Sequence, residues 1–146
     1  MLAVDTNVLV YCADRGCAEH GKCRALIEQL RMQPSAWYVT WHIIYEFIRI
    51  VTHFRVLRKP WSAAQAWEFA RVLLASPSLG LLVETERHAE VVARTIGEIP
   101  NLRGNLVHDA RTAILMREHG IRRIYTRDTD FHRFPFLEVI DPLTAV

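Results

Sequence analysis

Short apolar segments of two to four residues alternate along this chain with longer stretches whose apolar residues recur every third or fourth position. Residues 2–4, 37–40, 81–83, 124–126 and 139–140 have the character of strands, the second through its aromatic and β-branched run Trp37-Tyr38-Val39-Thr40. Between them, residues 19–31 show helical spacing through Cys23, Leu26, Ile27 and Leu30, and residues 42–54 form a strongly apolar helix. Ser62 caps a helix over 63–75 that the Ser76-Pro77-Ser78 stretch stops, and Thr85 caps another that runs through Ile96. The helix from Asn105 to His119 ends at Gly120, where a left-handed residue is favoured. Strands separated by helices need crossovers, so the expected fold is α/β: a central, mainly parallel sheet with helices on both faces, three αβα layers. Sheets of this kind bind ligands at the carboxyl ends of their strands.

No linker, repeat or low-complexity tract interrupts residues 1–146, so a single domain is expected, long enough to bury a core without disulfides. With 51% hydrophobic residues, disorder is excluded. The start Met1-Leu2-Ala3-Val4-Asp5 has the pattern of a strand and not of a signal peptide. Glu46 and Arg49 interrupt the most apolar region, so no membrane span is expected. Cys12, Cys17 and Cys23 match neither a redox pair nor a zinc site, which suits idle thiols in a reducing cytoplasm.

The acids carry the functional signal. Asp5 and Asp128 each follow a strand and project at the edge where ligands bind, and Asp130 lies two residues further on. Taken singly, such an acid is more often a helix cap or a turn residue. The helical acids say more. In the helix after residue 41 the apolar face runs through Ile43, Phe47, Ile50, Val51 and Phe54, and Glu46 falls on its margin. Asp109 lies between the angular positions of Met116 and Ala113, turned toward the buried side of its helix. A carboxylate aimed at a core costs several kcal/mol unless compensated. Arg49, Arg111 or Arg127 is one possible partner; the other is a hard cation, because clusters of carboxylate oxygens suit Mg2+ or Mn2+.

These motifs resemble those of PIN domains, and specifically of VapC-like toxins from bacterial toxin-antitoxin pairs. The residues that carry the resemblance are Val4-Asp5-Thr6-Asn7, Glu46 in the second apolar helix, His108-Asp109-Ala110, and Thr126-Arg127-Asp128-Thr129-Asp130-Phe131. It implies that Asp5, Glu46, Asp109 and Asp128 are the catalytic, metal-holding quartet, with Asp130 as a further metal ligand and Asn7 and Thr126 in support. It also implies an endoribonuclease that hydrolyses RNA with metal-activated water, leaving 5′-phosphate and 3′-hydroxyl ends, together with an antitoxin protein partner and a homodimer.

Lys22 and Lys59 are the only lysines, so almost all the positive charge is arginine, whose planar fork suits phosphate. The net charge of +2 is modest, but with five acids neutralised by metal the remainder is about +7. Arg111, Arg127 and Arg133 lie close to the acids in sequence and are candidate RNA contacts. Core packing is expected for Trp37 and Trp41, whereas Phe54, Trp61 and Trp67 are candidates for an apolar groove that receives the antitoxin, with plain internal packing as the alternative. Other hydrolase classes fit poorly. A haloacid-dehalogenase-like phosphatase needs a second aspartate where Asn7 stands, and neither a nucleophile elbow nor a glycine-rich phosphate loop is present. The remaining rivals are a PIN fold that binds RNA or a partner without cutting, and a solitary RNA-processing nuclease.

Overall fold

A computed structural model describes residues 1–144 of the chain. Its sheet has five strands, β1 (Leu2–Val4), β2 (Trp37–Val39), β3 (Leu79–Leu81), β4 (Arg123–Tyr125) and β5 (Glu138–Ile140), in the order β3-β2-β1-β4-β5. Every pairing is parallel. The chain winds outward from β1 to β3, then crosses back to build β4 and β5 on the other side of β1. The order therefore reverses between β1 and β4, which is where such sheets open a crevice at their carboxyl ends.

Two apolar cores follow from this winding. Helices α1 (Thr6–Ala13), α2 (His20–Met32), α3 (Trp41–Val51) and α4 (Ala63–Leu74) bury one face, with Leu2, Val4, Trp37 and Val39 beneath them. Helices α5 (His88–Glu98) and α6 (Leu106–Glu118) bury the other against Ala3 and Ile124, with Phe131 and Phe134 from the 3-10 turn Thr129–Arg133 and just past it. Adjacent residues of β1 thus serve opposite cores, as the pleat requires. Burying each large apolar side chain contributes roughly 1.5–3 kcal/mol. Trp37 is fully buried and its indole N–H donates to Ser78 Oγ at 3.1 Å, so its one polar atom is satisfied.

Several sequence expectations shift here. Helix α1 occupies a stretch to which the sequence pattern gave no element; Asp5 caps it by accepting from the Thr6 N–H at 2.8 Å. Strand β3 begins two residues earlier than expected and contains Gly80, where an added Cβ would sit 2.8 Å from the Tyr38 ring. The cap of α5 is Arg87 and not Thr85; the Thr85 hydroxyl accepts from the Arg87 N–H instead. Helix α3 ends at Val51, which leaves Phe54 beyond it and exposed, and Trp41 is exposed rather than in the core. Ser62 does cap α4, in a full capping box with Gln65, and Gly120 takes a φ of 72°.

The seam between α5 and α6 holds a buried carboxylate. Glu118 has no exposed side-chain surface, yet it accepts from the Thr85 N–H and contacts His88 Nδ1 at 2.6 Å. Arg117 beside it pairs with Glu98 at 2.9 Å and lies over the Phe136 ring at 4.4 Å. No helix among the described residues is long and apolar enough to cross a membrane.

Candidate active site

Asp5 leaves the carboxyl end of β1 and is buried, at 8% exposure. Its backbone N–H still belongs to the sheet, donating to the Tyr125 carbonyl at 3.0 Å, while its side chain enters a network. Thr126 Oγ1 and Asn7 Nδ2 both donate to Asp5 Oδ2, at 2.7 and 3.0 Å. Asn7 Nδ2 also reaches Thr126 Oγ1 at 2.9 Å, and Thr126 Oγ1 in turn accepts from the Asp128 N–H at 3.0 Å. The strand ends of β1 and β4 are thereby locked together through two uncharged side chains, which fixes where Asp5 and Asp128 stand. Asp128 Oδ1 accepts from the Asp130 N–H at 2.9 Å and caps the 3-10 turn.

The other two acids arrive from opposite layers. Helix α3 starts at the carboxyl edge of the sheet and carries Glu46 in its second turn, whereas α6 runs toward β4 and so presents its first turn, with Asp109, at the same edge. A cleft of about 200 Å³ results, lined by Asp5, Thr6, Asn7, His42, Ile43, Glu46, Ile50, His108, Asp109, Thr112 and Asp128. All four acids of the expected quartet line it. Asp109, Asp128 and Asp130 each bring a carboxylate oxygen within 4.8 Å of the others, a spacing that fits a shared cation.

The electrostatics differ from acid to acid. Burial pushes Asp109 up to about 7, helped by the charges of Asp128, Asp5 and Asp130 and by a proton shared with Asp128. Burial likewise raises Asp5, against the hydrogen bonds of Thr126 and Thr6. Among the described residues neither carboxylate has a cationic side chain as ion-pair partner. Glu46 is the exception: Arg49 holds it at 2.9 Å and draws its pKa down. Three crowded aspartates without a counter-charge offer an oxygen-only donor set of the kind that hard divalent ions accept.

Arg111 is exposed on α6, and its charge, after burial, helps to lower the His42 pKa, so it stands near the cleft. Arg133 is exposed as well. Arg127 is turned aside: its guanidinium lies 3.5 Å from both Glu19 and Asp141, and its N–H donates to Asn7 Oδ1 at 3.2 Å. Trp61 is half-buried, edge-on to Phe47 and Phe69, and lines two clefts at the far end of α1. Phe54 and Trp67 are exposed and line neither.

Two side chains of the site escaped the sequence reading. His42 precedes Glu46 by one helical turn, and that spacing alone would have placed it on the same face. His108 stood inside a quoted motif but was given no role. Their rings face each other across the cleft mouth, 5.6 Å between centroids and 8° from parallel.

The whole chain has relatives. Over 141 residues it is 31% identical to Ribonuclease VapC48 of Mycobacterium tuberculosis, 97% of each chain being covered. In fold it matches VapC20 of the same organism, described as a sarcin-ricin loop cleaving toxin, with TM-score 0.68, 23% identity, and coverage of 97% of this chain and 100% of that one. VapBC2 from Rickettsia felis, solved bound to a DNA fragment from the promoter of the pair, gives TM-score 0.68 at 15% identity, covering 95% and 96%. The PIN domain model matches residues 2–137, a span that holds every acid of the candidate site from Asp5 to Asp130, and the chain belongs to the PIN-domain family.

Proposed function

We propose that the protein is a divalent-metal-dependent endoribonuclease of the VapC type, the toxin of a toxin-antitoxin pair. The carrying observation is the convergence of Asp5, Glu46, Asp109 and Asp128 on one cleft, where burial and then the like charges of Asp128, Asp5 and Asp130 push the Asp109 carboxyl up to about 7. Asp109, Asp128 and Asp130 are the residues that would hold Mg2+ or Mn2+, with Asp5 close enough to add its charge. Such an ion supplies positive charge to the phosphoryl group and activates the attacking water. The chain's own part is placement: Thr126 and Asn7 clamp Asp5, and Asp128 is fixed by its N–H to Thr126. Glu46 faces the same cleft with Arg49 as its counter-ion. Arg111 and Arg133 extend positive charge to flanking phosphates.

The antitoxin would seat in the clefts around Trp61, about 770 and 330 Å³, which share Ala13, Arg15 and Trp61. Leu57, Ile27 and Leu73 give them an apolar floor, and their rim carries Arg15, Arg24, Arg31, Arg58 and Lys59 against Asp14, Glu28 and Glu68, a net positive balance that suits an acidic amphipathic segment. A cytoplasmic homodimer completes the reading; the exposed Trp41 and Tyr45, one turn apart on α3, supply an apolar contact surface for it.

The test is cleavage of structured RNAs by the purified, partner-free protein, with and without Mg2+ or Mn2+. Wild type cuts only with metal and Asp5→Asn does not cut. Equal RNA loss from wild type, Asp5→Asn and buffer overturns the assignment.

A further inference from the structure

We propose that His42 and His108 form a stacking platform for an unpaired RNA base beside the scissile phosphate, an inference that rests on the nuclease reading above. The two rings come from opposite layers, His42 from the first turn of α3 and His108 from the first turn of α6, and meet over the carboxyl edge of the sheet. At 5.6 Å and 8° they are parallel and within the range of offset stacking. Both line the acidic cleft, His42 half-buried and His108 exposed.

Nothing else in the described structure occupies them. The rings of His20, His53, His88 and His119 each contact a protein hydrogen-bond partner, while His42 and His108, like the exposed His132, have none among the described residues, and of these three only His42 and His108 line the acidic cleft. The chemistry of the surroundings selects what they receive. The parallel rings at the rim suit an uncharged, flat nucleobase, while the phosphates that flank it are left to the metal in the acidic cleft and to Arg111 near His42. Imidazole is one of the side chains on which splayed RNA bases stack, and every base offers a π-face. A paired base is held inside its helix, so the platform favours loops and single strands. The role asks nothing of the rings' protonation, and an aromatic ring without nitrogen does it as well.

That last property makes the inference testable. Single-stranded RNAs carrying the fluorescent base 2-aminopurine at successive positions are bound to wild type, to His42→Ala/His108→Ala and to His42→Phe/His108→Phe, in Ca2+ for binding and in Mg2+ or Mn2+ for cleavage. Thermal melts confirm that each variant folds. Wild type quenches the probe at one position next to the cut. The alanine pair loses that quench and raises KM about tenfold with a much smaller change in kcat, and the phenylalanine pair restores both. Alanine variants with unchanged quench and KM overturn the platform, leaving the rings to brace α3 against α6 or to meet a protein partner. Phenylalanine variants as poor as alanine also overturn it, since a nitrogen atom would then be the working part. Should wild type cut no RNA at all, the nuclease reading fails on that measurement alone, and the quench in Ca2+ still decides the platform.

Discussion

Two carboxylates in this fold are removed from water under opposite conditions. Glu118, in the seam between α5 and α6, has no exposed side-chain surface; burial would raise its pKa, but the hydrogen bonds from Thr85 and His88 outweigh it and draw it below the usual range. Asp109, at the carboxyl edge, rises to about 7, because burial is reinforced by the like charges of Asp128, Asp5 and Asp130 and no donor outweighs it. Burial alone therefore does not identify a functional acid. What separates the two is whether the protein itself supplies the donors. Glu118 is complete as folded and ties two elements together, whereas Asp109 stands among like charges with no cationic ion-pair partner among the described residues.

The strongest way to break this contrast is to neutralise each acid. Asp109→Asn removes a charge that the fold tolerates poorly, so the metal-free variant should melt at or above the wild-type temperature while RNA cleavage in Mg2+ or Mn2+ falls by on the order of a hundredfold to a thousandfold. Melting curves and initial rates on one RNA check both halves. A variant that loses stability along with activity would put Asp109 in the same class as Glu118.

Proton linkage sharpens the same point. A free aspartate titrates at 3.8 and the folded Asp109 at about 7, so folding takes up a proton between those values. The sign follows: this contribution is neutral below the free value, stability falls as pH rises from about 4 to about 7, and the full penalty stands above that range. Metal-free protein should then melt a few degrees lower at about pH 8 than at about pH 5, a shift kept modest because the group is half exposed. Saturating Mg2+ should restore most of the loss at the higher pH, because the ion binds the deprotonated carboxylates. Differential scanning calorimetry with and without metal measures it, and Asp109→Asn should flatten the slope.

Glu118→Gln runs the experiment from the other side. One acceptor is lost to Thr85 or His88 in a buried site, at a cost of about 1–3 kcal/mol, or roughly 2–10 °C in melting temperature. Cleavage measured well below that temperature should stay close to wild type, since Glu118 ends α6 whereas Asp109 sits in its first turn, and none of the seam residues lines the cleft.

One side of this contrast, the acidic cleft, was legible in the sequence. The acids at strand ends could be placed because a strand's end fixes where the next side chain projects, and Glu46 and Asp109 because helical periodicity fixes facing. Asp5, Glu46, Asp109 and Asp128 duly line one cleft. Helix α1 was not legible. Its sequence, Thr6-Asn7-Val8-Leu9-Val10-Tyr11-Cys12-Ala13, is β-branched and aromatic, so local propensity argues against the helix that burial of Val8, Leu9 and Val10 enforces. Strand β3 was misplaced because Gly80 weakens the pattern where the Tyr38 ring leaves room only for a hydrogen. Trp41 was misassigned to the core because hydrophobicity does not report which side of a first turn faces out. The seam partners Thr85, His88 and Glu118 left no trace either, since a contact across 30 or more residues has no local signature.

Glu46 lies between the two extremes and offers the mildest test. It lines the acidic cleft, yet unlike Asp109 it has a guanidinium partner, Arg49, 64% exposed on its side chain and three residues along the same helix. Exposed pairs at that spacing contribute only a few tenths of a kcal/mol, so Arg49→Ala should shift the melting temperature by no more than about 1–2 °C. The charge of Glu46 would then be uncompensated, as Asp109's already is. If the pair is only a resting contact that a cation displaces, the variant should bind Mn2+ about as tightly as wild type or up to about threefold tighter, since losing so weak a partner frees little energy. Calorimetric titration of Mn2+ into both proteins reads the difference. A markedly weaker affinity in the variant would mean that Arg49 holds Glu46 in place for the metal, and that this acid, like Glu118, depends on a partner supplied by the chain.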